Sequence, residues 1–288
     1  MISTVNFHLT SKCNYQCKYC FAHFCEVESQ LNVDDRKKLV KALCAPKWVD
    51  KINFVGGEPT LIGDQLIDLM MVAKGEKSHP VRTSVTTNSS LISPDWIEKA
   101  APFLDILTIS IDSQFEDTNR KCGRCCKANG KVLSKEHYIA LAAACHKNGI
   151  QLKINTVVSS INVNEDMADF INVIRPFHWK IFQVLKVDGE NDVDFSKYAI
   201  TGEEFDEYIE NQRNILNDKK VLVKESNDLM RGSYLMVNPE GCFFDNTQGG
   251  YTVSSPILEV GIDQALRQIH FDDEKFNKRG GKYSIPNA

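Results

Sequence analysis

The sequence predicts an α/β protein: an open, partial barrel of six β/α units with an α+β extension on its C-terminal side. Three observations carry that prediction. Six short apolar stretches between residues 4 and 185 alternate with helix-patterned ones, the signature of parallel strands joined by right-handed crossovers. A cysteine-rich turn and a glycine-rich turn follow the first two of these strands, where parallel α/β folds place their ligands. After about residue 186 the alternation stops. Six units are too few for a closed eight-unit barrel, so the sheet is expected to stay open.

Thr4 to Leu9 alternates, with Val5, Phe7 and Leu9 on one face and Asn6 and His8 on the other. The run Cys13-Asn14-Tyr15-Gln16-Cys17-Lys18-Tyr19-Cys20 follows at once. A helix is expected from Asp34 to Leu43, burying Leu39, Val40 and Leu43. The second strand, Lys51 to Val55, ends in Gly56-Gly57-Glu58-Pro59, and a helix over Asp64–Lys74 carries a stripe of Leu66, Leu69, Met70 and Ala73. Thr83 to Thr87 is a strand ending in Asn88-Ser89-Ser90, and Ser93-Pro94 supplies an N-cap and a first-position proline. Strands at Asp105–Ile111, Gln151–Val157 and Trp179–Leu185 interleave with helices at Ser134–Lys147 and Asn164–Ile174.

We divide the chain into the barrel, residues 1–185, and the extension, residues 186–288, which is expected to close the open side. In the extension, Thr201-Gly202-Glu203-Glu204 is a capping box opening a helix with Phe205, Tyr208 and Ile209. Ser233–Val237 and Cys242–Phe244 form a hairpin across Asn238-Pro239-Glu240-Gly241, and Gly261–Ile269 is the last expected helix. The tail Lys278-Arg279-Gly280-Gly281-Lys282-Tyr283 is basic and glycine-rich.

A chain of 288 residues, 42% of them hydrophobic, is ample for one large core. The net charge of -4 gives no global case for binding nucleic acid or an acidic membrane. Met1-Ile2-Ser3-Thr4-Val5 has neither the charged nor the apolar region of a signal peptide, and no apolar run is long enough to span a bilayer. A cytoplasmic protein with reduced thiols is expected, and there ten cysteines speak for metal or redox chemistry rather than disulfides.

Cys13, Cys17 and Cys20 form a C-x3-C-x2-C run. Three thiolates can hold a four-iron cluster and leave one iron open to an outside ligand. A structural zinc would want a fourth ligand, His23 or Cys25, and three bare thiols are the plainest alternative. Gly56 and Gly57 let backbone approach a ligand closely, and Glu58 offers an acceptor for a cationic amine. Alone, this is an ordinary turn. Lysines at strand ends, such as Lys51 and Lys180, are ordinarily solvated. Lys153, inside Leu152-Lys153-Ile154-Asn155, sits in a strand expected to be buried on both faces, where a charge needs a partner. His8 taken alone reads as a hydrogen-bonded core histidine. Cys122, Cys125 and Cys126 are too tightly spaced to face one ion and read as ordinary free thiols.

The cysteine run and the Gly-Gly-Glu turn together resemble the radical S-adenosylmethionine (SAM) superfamily. Within it the sequence is similar to the viperin family in a non-animal form, from residue 4 nearly to the end. Val5-Asn6-Phe7-His8, Lys51-Ile52-Asn53-Phe54, Leu104-Asp105-Ile106-Leu107, Phe115-Glu116 and Lys153-Ile154-Asn155 carry that likeness. So do Trp179-Lys180-Ile181-Phe182-Gln183, Gly189-Glu190-Asn191, Glu225-Ser226-Asn227, Ser233-Tyr234-Leu235 and Lys278–Tyr283. The resemblance implies a [4Fe-4S] cluster on Cys13, Cys17 and Cys20, with SAM chelated to the open iron. Gly56, Gly57, Glu58, Asn88, Ser89, Ser110, Arg124 and Gln183 would then line the SAM site. Asn6, His8, Lys51, Asn53, Lys153, Asn155, Lys180, Tyr234 and Arg279 would hold a nucleoside triphosphate, with Tyr234 and Lys153 closest to the chemistry and Tyr234 as proton donor.

The implied reaction removes H4′ from the ribose and expels the 3′-hydroxyl, with one more electron and a proton. It gives a 3′-deoxy-3′,4′-didehydro nucleotide that terminates RNA chains. It implies an electron donor such as flavodoxin or ferredoxin, and a monomer with no nucleic-acid or membrane partner. Several features depart from animal members: three extra cysteines at 122–126, His178 in place of an arginine, and Asp245–Tyr251 in place of a basic stretch. The basic changes leave CTP and UTP both open as the substrate, with GTP or another nucleotide as the alternative. The animal N-terminal membrane helix is absent, and Ala288 precedes the animal terminal tryptophan, which puts the usual cluster-assembly contact in doubt. Superfamily members that act on GTP in molybdenum-cofactor synthesis, or on peptides, build auxiliary clusters from C-terminal cysteines. After Cys145 this chain has Cys242 alone. A zinc-stabilised binding module is the remaining alternative, and it leaves the Gly-Gly-Glu turn without a purpose.

Overall fold

A computed structural model of the protein describes residues 4–282. Its centre is a ten-stranded sheet in the order β10-β9-β8-β1-β2-β3-β4-β5-β6-β7. The strands β1 (Thr4–His8), β2 (Lys51–Val55), β3 (Arg82–Thr87), β4 (Ile106–Ser110), β5 (Gln151–Val158) and β6 (His178–Gln183) run parallel in chain order. This is the open α/β sheet expected from the sequence. The extension adds strands at both edges. β7 (Leu222–Glu225) pairs parallel with β6, and β8 (Leu235–Val237) pairs parallel with β1. β9 (Cys242–Asp245) and β10 (Thr252–Pro256) continue antiparallel beyond β8.

The two faces of the sheet differ because each strand alternates. Val5, Phe7, Ile52, Phe54, Leu107, Ile109, Leu152, Ile154, Trp179 and Ile181 point to the side covered by helices and are almost fully buried. Leu39, Leu43, Leu66, Met70, Ile97, Leu141, Ile171 and Phe205 meet them from the helices Val33–Cys44, Gln65–Lys74, Pro94–Ala100, Lys135–Lys147, Ala168–Ile174 and Gly202–Ile215. The alternate positions Asn6, His8, Lys51, Asn53, Lys153, Asn155 and Lys180 turn to the concave face and line a cavity. A parallel sheet ordinarily buries both faces in apolar contact; here one face is polar, and the cavity explains it.

The punctuation read in the sequence is present. Ser93 accepts from Trp96 N ahead of Pro94, and Thr201 and Glu204 form both halves of a capping box. The hairpin closes through Asn238 N donating to Cys242 O at 2.9 Å, with Gly241 at φ 84°. Two expectations need correction, and some short elements went unforeseen. The helix expected from Asn164 starts at Ala168, because the Asn162 side chain ties Ser159 N, Asp112 O and Val157 O into a turn. The helix expected over Gly261–Ile269 spans Ile262–Leu266, and a further helix, Asp273–Lys278, follows under an Asp272 cap. The strands β7 and β10 and the short helix Glu116–Lys121 went unpredicted; each is short, and its burial comes from distant neighbours. Tyr283 and Met1–Ser3 lie outside the described residues. Among those described, no helix is long and apolar enough to cross a membrane.

Candidate active site

The cavity on the concave face measures about 300 Å³ and is lined by every residue the resemblance assigns to cluster, SAM or nucleotide except Ser89; the alternative zinc ligands His23 and Cys25 lie outside it. Ser89 lies fully buried, its backbone left-handed at φ 63°. One end of the cavity holds the cysteines, the other a group of cations.

Cys13, Cys17 and Cys20 sit on a loop tied down on all sides. Gln16 N and Lys18 N donate to Gly123 O and Cys122 O, and Lys127 N donates to Asn14 O. Asn191 Nδ2 reaches Tyr19 O at 3.1 Å, and the Glu190 carboxylate accepts from Phe24 N at 2.6 Å and Cys25 N at 3.3 Å. The glycine turn presses on the same loop: Gly57 N donates to Thr10 O at 2.6 Å and Glu58 N to Lys12 O at 2.9 Å. A Cβ on Gly57 would stand 2.2 Å from Lys12 O, and one on Gly56 would stand 2.9 Å from Thr10 O. The glycines therefore make room for the chain entering the cysteine loop. Both glycines also line the cavity, where a ligand was expected to approach them. Gly57→Ala is expected to displace Lys12 and cost most of the reconstituted cluster, read as lost visible absorbance after anaerobic iron–sulfide loading.

The three thiols fit a cluster better than a single ion. Among the described residues no set of three or more His, Cys, Asp or Glu side chains converges closely enough to hold one metal. A four-iron cluster spaces its thiolates further apart than a tetrahedral zinc does. Cys25, a suggested fourth ligand, is exposed, and the ring of His23, the other, has its Nδ1 at 3.0 Å from Glu190 O. Desolvation raises the thiols, Cys17 to about 12 and Cys20 to about 11, so a strongly cationic centre is needed to hold them as thiolates. The Arg124 charge works in the same direction. Its Nε donates to Asp112, which also accepts from Tyr19 OH at 2.5 Å and Val157 N at 2.8 Å. Asp112 is fully buried and had no part in the sequence reading.

The wall between the two ends is built from hydrogen-bonded pairs. The Glu58 carboxylate is fully buried and accepts from Thr60 N, Thr60 Oγ1, Thr87 Oγ1 and Asn88 N at 2.6–3.1 Å. It locks the end of β3 beside the cysteine loop. Asn88 Nδ2 in turn donates to Asn14 Oδ1 at 2.8 Å. Ser110 O lies 3.5 Å from Arg124 Nη1, and Gln183 braces the extension through Ile200 O and Asn227 N. Asn53 Nδ2 donates to Asn6 Oδ1 at 2.9 Å, and Asn155 Oδ1 is buried without a partner. His8 packs edge-on against Phe24, and burial lowers it to about 3, so it is a neutral ring with an unpartnered Nδ1.

At the far end Lys51, Lys153, Lys180 and Arg279 converge from β2, β5, β6 and the turn after Asp273–Lys278. Lys180 and Arg279 both pair with Glu225, a fully buried carboxylate at the end of β7. Burial first, then Arg279 and Arg82, push Lys51 down to about 7. Burial, then Lys180 and Lys51, hold Lys153 well below the usual lysine range. His178 stacks on Phe177 and is lowered to about 4 by burial and the same lysines, so it adds no charge here. Glu225 was visible in the sequence as part of Glu225-Ser226-Asn227, yet nothing local marked it. Its partners are 9 to 54 residues away.

A profile of the radical SAM superfamily matches residues 7–174. A Flammeovirga pacifica protein named S-adenosylmethionine-dependent nucleotide dehydratase is 39% identical, the match covering 98% of this chain and 96% of that one. A Lacinutrix mariniflava protein of the same name is also 39% identical, but the chain spans only 59% of its length. A rainbow trout (Oncorhynchus mykiss) nucleotide dehydratase is 36% identical over 98% of this chain and 80% of its own. The solved structure "Native anSMEcpe with bound AdoMet and Cp18Cys peptide" superposes at a TM-score of 0.71, with 16% identity, covering 97% of this chain and 82% of that one. At that identity the likeness is one of fold.

Proposed function

The chain belongs to the radical SAM superfamily and, within it, to the S-adenosylmethionine-dependent nucleotide dehydratases; from that premise we propose that it removes water from the ribose of a pyrimidine nucleoside triphosphate. The observation that carries this is the cation group facing the cysteine loop along one cavity. Lys51 opens β2 and Gly56 follows its end, a separation of about 16 Å at 3.3 Å per residue. A triphosphate held at the lysines would place its ribose between the two ends.

When bound, the [4Fe-4S] cluster and SAM supply the one-electron chemistry that removes hydrogen from an unactivated carbon. The chain's own residues do the rest. Lys51, Lys153, Lys180 and Arg279 give charge-assisted hydrogen bonds to phosphate oxygens. Asn6, Asn53 and Asn155 offer amides to the ribose, and Tyr234 stands on the wall as a proton source for the departing 3′-oxygen. Arg124, held by Asp112, offers its remaining donors to the carboxylate of SAM. Asn246 lines the cavity in the segment that departs from animal relatives; its Oδ1 accepts from Gly232 N at 2.9 Å, and its NH2 is left to meet a base edge. CTP and UTP are the two substrates to compare. The one-electron supply is assigned to a flavodoxin or ferredoxin.

The test is anaerobic incubation with dithionite, SAM and each nucleoside triphosphate in turn. CTP or UTP is expected to raise 5′-deoxyadenosine well above background and to yield the dehydrated nucleotide. If no nucleotide raises it, the reading fails. Binding should also be linked to protons. Lys51, brought down to about 7 by burial, Arg279 and Arg82, is half-charged near pH 7 in the free protein, and a bound phosphate raises it. Affinity is therefore expected to fall as pH rises from 7 to 8.5, by up to about tenfold per unit for one proton. Calorimetry in buffers of different ionisation enthalpy should show net proton uptake on binding, and an absence of uptake would remove Lys51 and Lys153 from the phosphate site.

A further inference from the structure

We propose that Glu225 is a positioning residue that fixes Tyr234 and the triphosphate cations as one unit, so that nucleotide binding and ribose dehydration are coupled. This rests on the nucleotide reading above.

The geometry is specific. One oxygen of the buried Glu225 carboxylate accepts from Lys180 Nζ and from Arg279 Nη1 at 3.3 Å, and the other accepts from the Tyr234 hydroxyl. The Arg279 guanidinium lies over the Tyr234 ring, 3.6 Å from its centroid, while its Nη2 donates to Ser233 O at 2.9 Å. Tyr234 is thus gripped by the hydroxyl from one side and the ring face from the other. Burial works to raise the Glu225 carboxyl, but the Lys180 and Arg279 charges outweigh it and bring it down to about 2. It stays an anion throughout the working range.

An anion at this place runs against affinity. Glu225 repels a triphosphate and occupies two of the cations that would bind it, so Coulomb's law alone favours a pocket without it. A part confined to substrate affinity therefore does not account for the carboxylate. Its contacts account for it differently: the acceptor fixes where the Tyr234 hydroxyl stands relative to Lys180 and Arg279, and hence relative to the ribose those cations deliver. β6 and β7 set this directly, since Glu225 lies opposite Phe182 in the strand register, two residues beyond Lys180.

The sign of two effects separates this role from a merely structural one. In Glu225→Gln, reconstituted anaerobically, cluster absorbance and melting temperature serve as fold controls. Nucleotide affinity, measured with the triphosphate preferred by the wild type, is expected to hold or rise up to tenfold. The yield of dehydrated nucleotide per 5′-deoxyadenosine is expected to fall at least tenfold. Tyr234→Phe should show the same uncoupling, and Glu225→Asp should restore part of the coupling. An unchanged ratio in Glu225→Gln, or an affinity that drops in step with turnover, overturns the proposal. Should Glu225→Gln fail to fold, Glu225→Asp is combined with Tyr234→Phe. A double variant no worse coupled than Tyr234→Phe alone supports the proposal, and additive losses overturn it. A wild-type protein that dehydrates no nucleotide defeats the functional reading; a working wild type with an unmoved Glu225→Gln ratio defeats this inference alone.

Discussion

Cys17→Ala is expected to yield a folded but colourless protein that cleaves no SAM above background, whereas Cys125→Ala keeps both colour and activity. The first loss follows from how the loop is held. Its backbone is fixed by Gly123, Cys122 and Asn191 and by the Gly56-Gly57 turn, so removing one thiol leaves no slack for Cys25 or His23 to move in. Two cysteine ligands do not retain a cluster that needs three. Cys125 is buried beside this loop, but the ties in its neighbourhood are backbone ones, Cys126 N to Lys131 O and Lys127 N to Asn14 O, which survive loss of a sulfur. Visible absorbance, iron content and 5′-deoxyadenosine yield measure both variants. A colourless Cys125→Ala protein would make a thiol of the 122–126 turn a ligand and overturn its reading as an ordinary free cysteine.

Lys153→Met is the second large effect, and it separates binding from stability. Lys153 lines the cavity with Lys51 and Lys180 as like-charged neighbours, and the desolvation it suffers is unfavourable in the free protein. Under the proposed function its use is to meet a phosphate. A hydrogen bond to a charged group contributes about 1.5–3 kcal/mol, so nucleotide affinity is expected to fall about 10- to 150-fold. The melting temperature of the ligand-free protein is expected to hold or rise, because a desolvated amine beside like-charged lysines has been replaced by an apolar side chain of similar length. Calorimetric titration and a thermal melt test the two halves. Unchanged affinity would take Lys153 out of the phosphate site, and a large drop in melting temperature would make it structural.

Much of the fold was legible because parallel strands and amphipathic helices write their period locally. Val5, Phe7 and Leu9 against Asn6 and His8 already gave the two faces of β1, and Ser93-Pro94 and Thr201–Glu204 marked helix starts by their own capping chemistry. The elements that escaped are those whose reason for existing lies elsewhere. β7 is a four-residue strand, too short to show a period, and it is a strand because β6 offers it a free edge.

The sequence by itself determined which groups stand at the two ends: three cysteines at cluster spacing, a Gly-Gly-Glu turn after a strand, and lysines where a buried strand should have none. Those signals are local, since ligand type and spacing fix what a short segment can bind. Tertiary structure decided what lies between the ends. It showed that Gly56 and Gly57 yield space to residues 10–12, that Glu58 and Asp112 are buried anchors for Asn88 and Arg124, and that Glu225 ties Lys180, Tyr234 and Arg279 together. None of these pairings leaves a periodic trace, because a buried carboxylate is stable only through donors that the fold brings from distant parts of the chain.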